Sequence, residues 1–368
     1  MDTPFFSIII PIYNTPYNYL EPCIKSLMQQ SFGSFEIVLV DDGSDKTTAE
    51  ICDQYSHLDD RIKVIHQKNS GVSVARNNGI MNASSEWIVF VDADDWLEPF
   101  ALETLYNNAK VVECDMLLFN TTREYANRSV KTKHKFKSNY LYDMHKIENR
   151  ELLYRLAMAP ANTVNSSSYP IYYCWDKAFR RSFLEENNLR FPIGLNKSED
   201  KVFLLSCLQK MDSFYYIDKY LHHYRINSNS MCNKYCETAD NDRRLLSSLL
   251  LEYATQMNAE LSKLKNDSQY NQIIKDYYRF IFGIISDVLF LKYYHPDFDL
   301  NKRERAKEVK AFLKSEPFST SINECEYSEL DLMAKLKKLL LQLGLVSVFC
   351  FIKTKHSSLF KKAMKDQE

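Results

Sequence analysis

The sequence predicts an α/β protein: a mostly parallel sheet flanked by helices, followed by a helical C-terminal extension. Three observations carry this. Short apolar runs alternate with helix-period segments across residues 6–110. The runs are apolar at nearly every position, as strands covered on both faces are. From about Thr238 onward only helical spacing remains.

Taken in order, FSIIIPIYN (Phe6 to Asn14) is a β-rich run stopped by Pro11. EPCIKSLMQQ follows with Cys23, Ile24, Leu27 and Met28 at helical spacing. Phe35 to Val40 form a second apolar strand that ends in carboxylates, and KTTAEICDQYSHL reads as the next helix. IKVIHQ is a third strand, GVSVARNNGIMNA a helix, and Trp87 to Val91 a fourth strand. CDMLLFN is a further strand candidate, NRELLYRLAMA a helix, and ANTVNSSSYP (161–170) a flexible loop. RRLLSSLLLEYATQM, YNQIIKDYYRFIFGIISDVLFL and KRERAKEVKAFLK are helices of the C-terminal region.

The 368 residues leave room for one large domain with appendages or for two domains. Composition is that of a soluble globular protein, and a net charge of −1 gives no global attraction to nucleic acid. With 7 glycines, none spaced as GxGxxG or GxxxxGK[ST], the usual dinucleotide and P-loop cradles are excluded. The 9 cysteines include no CxxC pair; Cys232 and Cys236 stand closest, and reduced thiols are expected. The N-terminus lacks the basic n-region of a signal peptide, so a cytoplasmic protein is expected.

The chemistry concentrates where strands end. Asp92-Ala93-Asp94-Asp95 closes the fourth strand. Such carboxylates repel unless a cation joins them, and hard oxygen ligands suit Mg²⁺ or Mn²⁺ bridging to a diphosphate. The competing reading is a cap, Asp94 or Asp95, for a helix in WLEPFALETL. Asp41-Asp42-Gly43-Ser44 closes the second strand in the same manner. Its carboxylate would accept the imide N–H of a uracil, or Ser44 or Asp45 would cap the following helix. Ligands of open α/β sheets sit at the carboxyl ends of strands, so Pro11, Asp41 and Asp92 are expected to line one crevice.

SIIIPIYN, EIVLVDDGSD, NSGVSVARNNGI and WIVFVDADDWLEP stand in the order and spacing of the family 2 glycosyltransferases, which this sequence resembles. The resemblance continues in CWDKAFRRSFLEENNLRFPIGLNKSEDKVFLL (Cys174 to Leu205) and YLHHYRINSNSM (Tyr220 to Met231), about the first 230 residues in all. It implies a GT-A fold and an inverting transfer from a nucleotide-sugar donor, UDP by preference. It implies that Pro11, Tyr13 and Asn14 line the nucleoside pocket, that Asp42 binds base or ribose, and that Arg76 reaches towards the donor. Asp92 and Asp94, with Ala93 between, match the DxD motif, Asp94 contacting Mn²⁺ or Mg²⁺ directly. Glu199 and Asp200 match the Glu-Asp pair, Asp200 as catalytic base. Trp175 and Lys177 match a W-N-K element near the acceptor, with Asp176 at the usual Asn, and Arg225 binds the diphosphate. The family often has a late metal-binding histidine where this chain has Asn227; His222 and His223 lie upstream out of phase.

The resemblance therefore divides the chain into a transferase domain (1–237: donor half 6–110, acceptor half 111–237) and a helical region, 238–368. The acceptor expected is a saccharide or lipid-linked saccharide of cell-surface polysaccharide synthesis. Leu339 to Ile352 are nearly all apolar, and no acidic residue falls between Leu332 and Lys365. At 14 residues the run is too short to span a bilayer. Segment 335–362 is thus read either as a basic helix on an anionic membrane, at the inner face of the cell membrane, or as a helix packed on the protein's own core. Two other functions compete: a catalytically inactive scaffold, against which the intact carboxylates argue, and a sugar-phosphate nucleotidyltransferase, which would want glycines in PIYNTPYNYL.

Overall fold

The computed structural model describes residues 3–159, 171–226 and 235–353. The loop expected at 161–170, Asn227 and Cys232 lie outside them. Contacts divide the chain into two units, one comprising Met1–Ala157, Thr163–Ser230 and Ala259–Ser268, the other the remainder.

The first unit is built on a ten-stranded sheet. Strands β1 (Phe6–Ile12), β2 (Phe35–Asp41), β3 (Ile62–His66) and β4 (Trp87–Phe90) are joined by helices α1 (Tyr17–Met28), α2 (Lys46–Leu58) and α3 (Val72–Asn82). They lie side by side, all parallel, in the order β3-β2-β1-β4. The chain steps outward from β1 to β3, then returns to the other side of β1. That reversal opens a crevice at the carboxyl ends of β1 and β4.

Every residue of β2 and β4 is buried, which explains their unbroken apolar pattern. One face of β1 packs Phe6, Ile8, Ile10 and Ile12 against Leu20, Cys23, Ile24 and Leu27 of α1. Truncating such a residue, Leu27→Ala for example, costs about 2–5 kcal/mol. On the other face α3 passes so close to β1 that a Cβ at Gly79 would lie 2.3 Å from Ile9 Cγ2. Only glycine permits that approach.

Beyond β4 the sheet becomes mixed. Trp96–Leu97 form β5, followed by α4 (Ala101–Ala109), β6 (Met116–Glu124), β7 (Ser129–Thr132), β8 (Tyr140–Asp143) and α5 (Ile147–Met158). Then come β9 (Lys177–Arg180), α6 (Arg181–Glu186), α7 (Glu199–Lys210) and β10 (Ser213–Arg225). The four-residue β9 slots antiparallel between β4 and β6. β10 runs parallel to β6, with register shifts between Tyr216 and His222. Such bulges re-aim side chains near a site.

No helix starts at Asp94 or Asp95. Trp96 and Leu97 pair with His223 and His222 of β10, and α4 begins only after Phe100. Asp95 is wholly buried and accepts the Arg225 backbone N–H at 2.8 Å, so the chain is held to β10 before it can turn.

The second unit is helical: most of α8 (Ala239–Lys265), α9 (Gln272–Val288) with a π-helical continuation Leu289–Tyr293, α10 (Lys302–Lys314), α11 (Phe318–Glu324) and α12 (Leu332–Gln342). Residues 346–353 are helical again. Two lysines of the basic segment 335–362 are inside. Lys337 Nζ donates to the Phe282 and Gly283 carbonyls, and Lys338 Nζ to those of Asn323 and Cys325. Backbone acceptors let these ammonium groups be buried, and burial lowers the Lys337 pKa to about 7. No described helix is long and apolar enough to cross a membrane.

Candidate active site

The carboxyl ends of β1, β2 and β4 carry the predicted residues. After β1, Tyr13 is exposed and Asn14 adopts left-handed backbone (φ 48°). The Asn14 N–H donates to Ser44 Oγ at 3.0 Å, and its Oδ1 accepts the Asp45 N–H at 2.7 Å. Asp45 in turn caps α2 through the Thr48 N–H, 2.8 Å away. The ends of β1 and β2 are thus tied together, with Pro11 half-buried between them. Asp41 accepts from Ser44 and His66; burial opposes its ionisation, but these partners hold its carboxyl below the usual range.

Asp42 is placed differently from what the resemblance implies. It is buried, accepting Gln67 Nε2 at 2.7 Å and the Ser70 and Gly71 N–H groups at 2.8 Å each. Both its oxygens hold the loop leading into α3, so it shapes the pocket wall rather than standing free for a base.

Arg76 on α3 is the centre of the arrangement. Its guanidinium, 3% exposed, donates from Nη1 to Glu199 Oε1 (2.8 Å) and Asp200 Oδ1 (2.7 Å). From Nη2 it donates to Asp92 Oδ1 (2.8 Å). One cation therefore fastens the first carboxylate of DADD to the Glu-Asp pair, and it is not left free to reach a donor. Glu199 and Asp200 open α7, whose N-cap is Ser198 in left-handed conformation (φ 68°), so Asp200 is not the cap. Burial, against the pull of Arg76, raises the Asp200 pKa to about 7.

Ala93 is buried between Asp92 and Asp94. Asp94 is half-buried, and burial together with neighbouring Asp95 and Asp92 raises its pKa to about 7. Burial likewise pushes the Asp95 carboxyl well up, with Asp92 adding to it. Arg225 lies beside them, but its Nε donates to the Asp94 carbonyl at 2.8 Å rather than to a carboxylate. Its guanidinium stacks over the Tyr19 and Trp96 rings. His222 Nε2 is 3.2 Å from Asp95 Oδ2, and burial lowers the His222 pKa to about 4. A neutral imidazole there supplies no countercharge to Asp95, in keeping with the raised Asp95 pKa. His223 is engaged by Glu98 and Glu124.

Trp175 is buried, its ring stacked on Tyr173, His222 and Tyr224. Lys177 is a correction: it is fully buried, ion-paired with Asp176, and donates to the Tyr173 carbonyl at 2.6 Å. Asp176 also lies 3.0 Å from His134 Nε2. Burial opposes its charge, yet Lys177 and His134 hold its carboxyl low. An Asn at 176 could not neutralise this lysine; the aspartate and the buried lysine belong together. His134 was missed in the sequence because it sits in an unpatterned polar stretch, and Gln67 because nothing local marks it.

Among the described residues no three His, Cys, Asp or Glu side chains are arranged to hold a metal by themselves. The donor chemistry nevertheless fits a shared ion. Asp94 is a half-buried carboxyl that Arg225 favours in its charged form only from beside, and Mg²⁺ or Mn²⁺ is commonly held by one or two carboxylates with the rest from substrate phosphates.

Residues 7–187 match the family described as Glycosyl transferase family 2. They form a family 2 domain. The EpsH protein of Bacillus subtilis (strain 168) is 32% identical over 237 residues, 64% of this chain and 64% of that one. Glycosyltransferase GlyA of Streptococcus pneumoniae serotype 4 is 34% identical over 239 residues, 63% of this chain and 32% of GlyA. The matched stretch thus spans less than two thirds of the length of these curated relatives. Among solved structures, S. aureus TarS 1-349 in complex with UDP-GlcNAc matches with a TM-score of 0.63 at 18% identity, over 96% of this chain and 92% of that one. That likeness is one of fold, and it extends through the helical unit as well as the family 2 domain. Asp92, Arg76 and the Trp175–Lys177 stretch fall within the matched 7–187; Glu199, Asp200 and Arg225 lie beyond it.

Proposed function

We propose that this protein is an inverting glycosyltransferase that moves a sugar from a nucleotide-sugar, UDP-sugar by preference, to a saccharide or lipid-linked saccharide of a cell-surface polymer. The observation that carries the reading is the Arg76 bridge, which holds Asp92 and the Glu199–Asp200 pair at one crevice. The family 2 domain and the glycosyltransferase names of its relatives support the transferase class. TarS was solved with UDP and with UDP-GlcNAc, which supports a uridine donor by analogy of fold.

In this reading Asp200 is the general base. It takes the acceptor hydroxyl proton while the acceptor oxygen bonds to the anomeric carbon and the bond to the diphosphate breaks. A base with a pKa of about 7 is matched to that task near neutral pH. Arg76 positions the base and holds Asp92, while Tyr13 and Asn14 face the nucleoside and Arg225 stands beside the diphosphate. Asp94, with Asp92, would hold Mn²⁺ or Mg²⁺, which when bound offsets charge on the leaving diphosphate. Lys177 and Trp175 act from inside, setting the wall of the acceptor half.

The test is a panel of nucleotide-sugars with Mn²⁺, read as donor turnover and as a rise in melting temperature. A UDP-sugar that is both bound and consumed supports the proposal. Failure of every donor to bind or turn over sinks it. Metal-dependent UDP binding without turnover points to the inactive scaffold instead.

A further inference from the structure

The C-terminal helices turn the wrong side outward for a solvated surface. With Lys337 and Lys338 anchored inside on backbone carbonyls, α12 presents Leu332, Leu339 and Leu343 to solvent. These sit at i, i+7 and i+11, one stripe of a helix. Past the break at Gly344 (φ 71°), Leu345, Val348 and Phe351 are also exposed, at a spacing of three. Leu332 is 82% exposed, Leu343 62% and Phe351 60%, values for side chains facing open water. The other exposed residues along Gln342–Ser347 are uncharged. Exposed apolar side chains this frequent along one stretch of chain mark an interaction surface.

We propose that this stretch is a docking surface for an anionic lipid bilayer, on which the helical unit lies flat. Charge decides between occupants. The chain beyond 353 carries Lys355, Lys361, Lys362 and Lys365, with no acid before Asp366. Those lysines would repel the same tail on a second copy, whereas they are attracted to anionic headgroups. The stretch supplies the apolar face and the tail supplies the cations that an interfacial segment needs. No described helix could span the bilayer, so the contact is peripheral. The inference stands apart from the donor chemistry of the family 2 domain.

Co-sedimentation of the full chain tests it, with vesicles of phosphatidylcholine alone or mixed with phosphatidylglycerol. The wild type is expected to pellet with the mixed vesicles and to be released by high salt. The double variant Leu343→Ser, Phe351→Ser should bind them at least about tenfold more weakly, and Lys361→Gln, Lys362→Gln should lose the preference for phosphatidylglycerol. The altered leucine and phenylalanine are exposed, so melting temperature and UDP binding should be unchanged and report that the variant is folded. Absence of wild-type pelleting overturns the proposal. So does equal pelleting of the Leu343, Phe351 variant, or a dimer that this variant dissolves without any vesicle binding.

Discussion

Two carboxylate groups at the end of the same strand live under opposite conditions. On the α3 side, Asp92, Glu199 and Asp200 all bond one buried guanidinium, Arg76. On the β10 side, Asp94 and Asp95 face Arg225, whose side chain is spent on a carbonyl and two aromatic rings, and a His222 kept neutral by burial. The first group is neutralised from within, largely as a piece of architecture. The second has no cation bonded to its carboxylates, so burial raises both pKa values, and an external cation would favour the charged form. The contrast teaches that neighbouring aspartates in one motif do different jobs, and that the countercharge rather than the motif separates them.

The largest effect should come from breaking the internally neutralised side. Arg76→Met leaves three buried or half-buried carboxylates without their cation, so a loss of about 3–5 kcal/mol in urea denaturation is expected. Arg76→Lys keeps the charge but not the fork that serves both Nη1 and Nη2, and should fall between. A stability change below about 1 kcal/mol in Arg76→Met would show that the bridge is not structural. Asp200→Asn tests the same side without removing the cation. It should cut transfer by about 10²–10⁴-fold while UDP binding stays near wild type. The wild-type kcat/KM should rise with pH through about 7, where Asp200 loses its proton. If Glu199→Gln abolishes transfer and Asp200→Asn does not, the base has been misassigned.

How much of this was legible in the sequence follows from distance along the chain. Strands β1, β2 and β4 were legible because burial on both faces writes a nearly unbroken apolar run, and the carboxylates that follow β2 and β4 were legible by position. The Arg76 bridge was not, since 123 residues separate Arg76 from Glu199 and no local pattern records a pairing of that range. β9 was missed because four residues between two older strands carry no period of their own. Asp42 and Lys177 were both placed against ligands by the resemblance. Each has partners inside: three donors from Gln67, Ser70 and Gly71 for one, Asp176 and a carbonyl for the other. Lys337 and Lys338, in a segment read as basic, are likewise held inside by carbonyls. A charged residue can be placed inside only once its buried partner is known.

The smaller effects sharpen the side without a bonded cation. Asp94→Asn should lose the Mn²⁺-dependent part of UDP affinity while leaving the fold intact, as titration calorimetry with and without chelator would show. It should also reveal the cost of the bare carboxylate through pH. The Asp94 pKa is about 7 in the folded protein against 3.8 for an ordinary aspartate. Between those values the native state binds the proton that the unfolded chain releases, so this group's stabilising contribution is complete below pH of about 4 and is lost as pH rises through about 7. Asn cannot titrate. With chelator present, the unfolding free energy of Asp94→Asn relative to wild type, from urea denaturation, should therefore climb across that window by roughly 1–3 kcal/mol after allowance for solvent screening of a half-buried group. Adding Mn²⁺ and UDP to the wild type at pH of about 8 should recover most of the difference. A flat difference from pH of about 4 to 8 would mean that Asp94 is already neutralised by the protein, and the contrast between the two sides would collapse.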